Sequence, residues 1–195
     1  GGGPEIPPGD YTITIKFRGQ EAKQSVRVLP DPRDTFTPAQ RQAKYDAILR
    51  AGKVQETIVE AINRITKTRN DIDAVAAKLK KEDDDPSAEP PPLVKSGTEL
   101  KTKLDAMEKR LWTPPKTKGI PAEKDVMAKI GYPFYSLQSS WDAPTAAQLT
   151  YLERAEKQLR ETLVDYNKLF AQDVAKYREE VRKSNVVLLT EEPPL

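Results

Sequence analysis

From Ile58 onward, Ile62, Ile65, Ile72, Ala76 and Leu79 recur at alternating spacings of four and three, with Arg69 as the one interruption. A second stretch does the same with Leu149, Leu152, Leu159, Leu163, Tyr166, Phe170, Val174, Tyr177 and Val181. Two apolar stripes this long can be buried only if long helices lie side by side, which fixes a bundle as the helical architecture. The first helix is expected from Pro38 to about Glu82, with Gly52 as a weak point or bend, and the last from about Ala146 to Lys183. Three starts carry a hydroxyl residue followed three positions later by Gln or Glu: Thr37 with Gln40, Ser96 with Glu99, and Thr145 with Gln148. Each reads as a capping box, and Pro38 fits the first helical position of the first. A short helix is therefore expected from Thr98 to Trp112, with Leu100, Leu104, Met107 and Leu111 inward. A further piece from Ala122 to about Leu137, interrupted by Gly131 and Pro133, completes a broken middle leg. The fold class is mainly α: an antiparallel three-legged bundle with an N-terminal β-hairpin.

Before Pro38 the period is two. Tyr11, Ile13, Ile15 and Phe17 alternate with Thr12, Thr14 and Lys16, a Gly-containing turn follows at Arg18-Gly19-Gln20-Glu21, and Ala22 to Leu29 reads as a second strand with Val26 and Val28 inward. An isolated hairpin is marginal in water, so its Tyr/Ile/Phe face is expected to lie on the bundle near Tyr45, Ile48 and Leu49. The tail Val186-Val187-Leu188-Leu189 is expected to cover its edge or add a third strand. Residues 1–36 thus form a hairpin that belongs with a larger sheet, residues 37–184 the bundle, and residues 185–195 a tail. Asp83 to Lys95, acidic and Pro-rich, is expected to be a flexible loop; Thr113 to Pro121 is a second connection, anchored at Trp112 and Ile120.

The chain contains no His and no Cys, so the commonest general base, the commonest zinc ligand, thiolate nucleophiles and disulfides are all missing. With 32 Lys and Arg against 30 Asp and Glu the net charge is +2, too small for steering onto nucleic acid or anionic lipid. No run approaches the roughly 18 apolar residues of a membrane-spanning helix. Asp83-Asp84-Asp85 lacks the spacing of a calcium loop and reads as a solvated linker. Lys101, Lys103, Lys109, Arg110, Lys116 and Lys118 are interleaved with core leucines and read as a solvated face. Carboxylate pairs at helical spacing are the one remaining catalytic engine, but they also serve as ordinary ion-pair partners. No catalytic, cofactor-binding or metal-binding residue is assigned, and the chain is read as no enzyme. Tyr132, Phe134, Tyr135 and Trp141 fall close together and are expected mainly to fill the end of the bundle, Trp141 being the exposed exception. If a ligand or partner surface exists, its candidates are Trp141, Tyr132 and Tyr135.

The opening Gly1 to Ile13, including Pro8-Gly9-Asp10-Tyr11-Thr12, the Asp31-Pro32-Arg33 after the second strand, Ala61 to Ile65, and Ala143 to Gln148 form a combination. It resembles the C-terminal region of bacterial sortilin-like proteins, also labelled BNR-repeat or glycosyl hydrolase-like. There a large β-propeller is followed by an Ig-like segment and a helical tail. The resemblance implies a non-catalytic accessory or protein-interaction module of a larger exported protein, in the periplasm or at the cell surface. Its partner would be another protein or the propeller of the same chain, with no nucleic acid, no membrane span and self-association as an open option. The alternative is a carbohydrate-binding domain or a weak carboxylate-dependent glycoside hydrolase.

Overall fold

The computed structural model describes residues 4–33, 35–79, 89–114 and 125–186. It is mainly helical, with an N-terminal antiparallel hairpin. Strands β1 (Gly9–Phe17) and β2 (Gln20–Val28) pair along their full length, with Tyr11 opposite Val26 and Phe17 opposite Gln20. The link is the two-residue turn Arg18–Gly19, tighter than the sequence suggested. Both residues have positive φ, 47° and 79°, the conformation that matches the twist of a hairpin and that Gly19 adopts without strain.

Helix α1 (Pro38–Leu79) runs unbroken through Gly52, and the residues that follow Leu79 in the expected helix lie outside the described range. Its start is the capping box: Gln40 N donates to Thr37 Oγ1, and Thr37 N donates to Gln40 Oε1. Helix α2 (Pro92–Leu111) begins six residues before the expected start at Thr98. Pro92 sits at the first position, where its missing N–H costs nothing, and the Ser96 hydroxyl merely bonds back to Leu93 O. Residues 92–95, expected in the flexible loop, are thus helical; residues 83–88 fall outside the described range, as do 115–121 of the second connection. Helix α3 (Val126–Gln138) starts on Asp125, whose Oδ1 accepts from Ala128 N and whose Oδ2 accepts from Thr113 N, tying it to the end of α2. Pro133 is buried inside it without ending it.

Helix α4 (Ala146–Leu169) opens on the Thr145–Gln148 capping box and passes through a π-helical turn, Phe170–Val174, into α5 (Ala175–Lys183). The buried residues explain the wide turn. Leu152, Ala155, Leu159, Thr162, Tyr166 and Leu169 keep spacings of three and four, but the next buried residue is Val174, five further on. The π turn absorbs that extra residue and returns Val174 and Tyr177 to the same face.

The legs run up, down and up. Near the hairpin, Lys44 Nζ donates to Ser140 O, and Arg50 makes two bonds to Glu156 at 3.0 and 2.9 Å. Midway, Tyr166 OH donates to Ala61 O at 3.3 Å. At the far end, Gly97 of α2 lies between Ile72 of α1 and Tyr177 of α5. One apolar core joins all legs, including Ile58, Ile65, Leu104, Leu111, Ile130 and Leu152. Arg69, the break in the α1 stripe, is placed to pair with Asp105 at 2.6 Å and Glu108 at 2.7 Å on α2. The hydrogen bond to Glu108, with a smaller contribution from Asp105, leaves its guanidinium more firmly protonated than usual although burial opposes the charge.

Two expectations fail. The Tyr/Ile/Phe face of the hairpin does not lie on the bundle: Ile13, Ile15 and Phe17 are 50 to 65% exposed. Tyr177 packs beside Ile72 at the end of α1, so α5 finishes at the pole opposite the hairpin and Val186 starts from there. An end of the last helix beside Tyr45 and Ile48 would need α1 and α5 to meet at the start of α1, whereas the odd number of legs sends α5 away from it; residues 187–195, on which the expected covering of the hairpin edge rests, lie outside the described residues.

A Cβ on Gly97 would lie 2.9 Å from Ile72 Cγ2 and 3.0 Å from Tyr177 OH, whereas one on Gly52 meets nothing within 4 Å. Gly97→Ala is expected to lower stability by roughly 1–3 kcal/mol and Gly52→Ala to raise it by roughly 0.5–1 kcal/mol, both read from urea denaturation midpoints. The Tyr177 hydroxyl is buried with no hydrogen-bond partner among the described residues, and burial, reinforced by Glu180 and Asp73, raises its pKa. An acid whose folded pKa is raised holds its proton better folded, so its contribution is complete below the ordinary tyrosine pKa of about 10 and is lost as pH rises through the folded value. Tyr177→Phe is therefore expected to maintain or raise stability at pH 7 and to flatten its decline above about pH 10; unchanged alkaline sensitivity would assign that decline elsewhere.

Candidate functional site

The aromatic group around the α3–α4 connection separates into three environments. Phe134 joins the edge of the core. Trp141, Tyr135 and Tyr132 are exposed at 73, 70 and 61%, so the expectation that Tyr132 and Tyr135 fill the bundle end fails for both while that for Trp141 stands. The cause is phase: Ile130, Pro133 and Leu137 take the inward face of α3, which turns Tyr132 and Tyr135 outward.

Trp141 is held on a short, well-tied connection. Ser140 Oγ donates to Asp142 Oδ2 at 2.7 Å and accepts from Asp142 N at 2.9 Å. Gln148 Nε2 reaches back to Ser136 Oγ at 2.7 Å, fixing the start of α4 on the end of α3. Lys44 bonds the Ser140 carbonyl and lies 6.0 Å from the Trp141 ring centroid, at the outer limit of a cation–π contact. The indole borders a cleft of about 500 Å³ between the bundle and the base of the hairpin, whose apolar walls include Tyr45, Ile48, Pro8, Leu29 and Pro30. Arg41 and Lys44 lie on one side of it and Glu5 and Asp31 on the other.

Tyr132 lies elsewhere. Its ring meets Tyr151 edge to face at 5.2 Å, and both border a second groove of about 500 Å³ between α3 and α4. Tyr135 borders neither cavity and packs its edge on Phe134 at 5.8 Å. The three candidates thus do not converge on one site. Tyr151 and Arg154 were not singled out in the sequence; the available signal was that Tyr151 falls off the Leu149–Leu152 stripe, which leaves an aromatic ring with no core to enter.

The charged groups point to pairing. Lys101 bonds Asp73 at 2.6 Å, Lys103 bonds Asp173, and Arg110 bonds Asp165 at 2.8 Å, so three cations of the basic stretch join α2 to its neighbours. Lys116 and Lys118 fall outside the described residues. The Asp10, Glu21 and Asp31 carboxyls are all pulled below their usual range, by Arg27, by Lys23 with Lys16, and by Arg33 respectively. That is opposite to the upward displacement a general acid needs. Among the described residues no three acidic side chains group as metal ligands, and no helix is long and apolar enough to cross a membrane.

Comparison with protein-family models, with curated proteins and with solved structures gave no match to this chain.

Because Trp141 is exposed and its connection is held by backbone and Ser140–Asp142 bonds, Trp141→Ala is expected to change stability by no more than roughly 0.5 kcal/mol. A thermal melt that falls well beyond this would place the indole in the fold's support instead of on its surface.

Proposed function

We propose that this chain is a non-catalytic helical accessory module whose hairpin is completed by β-structure from outside it, within a larger exported protein that carries a β-propeller. The observation that supports this reading is the hairpin's two unlike faces. Tyr11, Ile13, Ile15 and Phe17, opposite Val26, Gln24, Ala22 and Gln20 in turn, form one uncharged, mainly apolar face that is largely open to water. The other face is closed by ion pairs, Arg27 with Asp10 at 2.6 Å and Glu21 with Lys16 at 3.2 Å and Lys23 at 2.7 Å. Solvent suits the second face and not the first.

A second copy is a poor cover for it. Nine-residue strands make a face of about 30 Å by 10 Å, roughly 300 Å², well short of the roughly 800 Å² per partner of a stable interface. A sheet on the same polypeptide escapes that requirement, because linkage raises its effective concentration. This agrees with the resemblance to the tail of sortilin-like proteins, in which an Ig-like segment would supply the sheet and the export route the periplasmic or cell-surface location.

Hydrogen exchange tests the reading. In the isolated chain the amides of Tyr11 to Phe17 are expected to exchange much faster than those of Ile58 to Ile72. In the product of the full reading frame they should become protected. Strong protection in the isolated, monomeric chain would sink the proposal. A second reading, carbohydrate binding, draws on the exposed Trp141, Tyr132 and Tyr135; specific binding on a glycan array, lost in Trp141→Ala, would replace the first reading with it.

A further inference from the structure

The groove between α3 and α4 has an apolar floor and a basic rim. Its floor is low because Ala128 of α3 and Ala155 of α4 carry only a methyl group each, and it is flanked by the Tyr132 and Tyr151 rings. Its rim carries Lys129 and Arg154. Elsewhere on the bundle Arg50, Arg69, Lys101, Lys103 and Arg110 pair with carboxylates on a neighbouring helix. Neither Lys129 nor Arg154 has a carboxylate within ion-pair distance among the described residues, and no Asp or Glu lines the groove. The Arg154 guanidinium lies over the Tyr151 ring at 5.7 Å, a contact that engages its face and not its N–H donors.

We infer that this groove is a docking surface for an acidic amphipathic peptide segment of a partner protein. An apolar side chain of the partner fills the depression between the two tyrosines, and flanking carboxylates meet Lys129 and Arg154. Charge complementarity selects the occupant: an apolar trough with two cations and no anion repels a basic segment and gains from an acidic one. The groove follows two packed helices, so it has the shape that a partner helix presents its stripe to. This surface is separate from the hairpin, and its test does not depend on what covers the hairpin.

The probe is a fluorescein-labelled peptide of leucine and glutamate at helical spacing, about four turns or roughly 15 residues long, titrated with the full chain and read by fluorescence anisotropy. The same peptide with lysine in place of glutamate is the control. The acidic peptide is expected to bind and to weaken with added salt, and the basic one not to bind. The double variant Lys129→Glu, Arg154→Glu is expected to lower affinity roughly tenfold or more, and Tyr132→Ala to lower it as well. All three positions are on the surface, and unchanged thermal melts will show that the fold is retained. Failure of the acidic peptide to bind, equal binding of the basic peptide, or indifference of the charge-reversed variant would each overturn the inference. Binding of oligogalacturonate at these residues without peptide binding would overturn it in favour of an acidic glycan.

Discussion

Forty-two consecutive residues in a single helix, α1, span about 63 Å, and a helix of this polarity does not persist alone in water. What holds it is the shared apolar seam. Ile58 and Ile65 of α1, Leu104 and Leu111 of α2, Ile130 of α3 and Leu152 of α4 are all fully buried in one cluster. The other features of the bundle serve that seam. The wide π turn exists to keep Val174 and Tyr177 on it, Gly97 exists to let α2 approach α1 and α5 closely, and Arg69 interrupts it only where two carboxylates of α2 wait.

The signals that were legible in the sequence were local ones. The boxes at Thr37 and Thr145 form because each needs only the residues within one turn, and both appear as hydrogen-bonded pairs. The same pattern at Ser96 does not start a helix, because Pro92 offers an earlier start and nothing local weighs one against the other. Gly97 reads as part of a start signal, yet its reason lies in Ile72 and Tyr177, residues distant in sequence. The strand alternation and the hairpin register were likewise visible, whereas whether the apolar face finds a surface was not. That depends on which way each leg runs, and leg direction belongs to the whole topology.

The candidate site was legible only in outline. Trp141 stood out because a connection has no stripe to place it in, and it is exposed. Tyr132 and Tyr135 depended on the phase of α3, which Ile130, Pro133 and Leu137 settle together. The Tyr151 and Arg154 pair of α4 was hidden for a related reason: it forms a groove with Lys129 and Tyr132 of α3 only after the core has fixed how the two helices are rotated. Surface function in a bundle is read from what the core declines to bury.

The hairpin carries a further consequence for how the molecule behaves outside its native context. Among the described residues the outer side of β1 and that of β2 are both sheet edges, and the apolar face lies open beside them. Globular proteins usually hide such an edge, twist it or place charge on it. Here the charge of Lys16, Lys23 and Arg27 is confined to the opposite face and already partly neutralised by Glu21 and Asp10. A short segment of the chain therefore weighs on its colloidal behaviour out of proportion to its length. A bundle whose outer surface is well solvated thus carries one apolar end, too small to hold a stable dimer and open only to weak, transient contact.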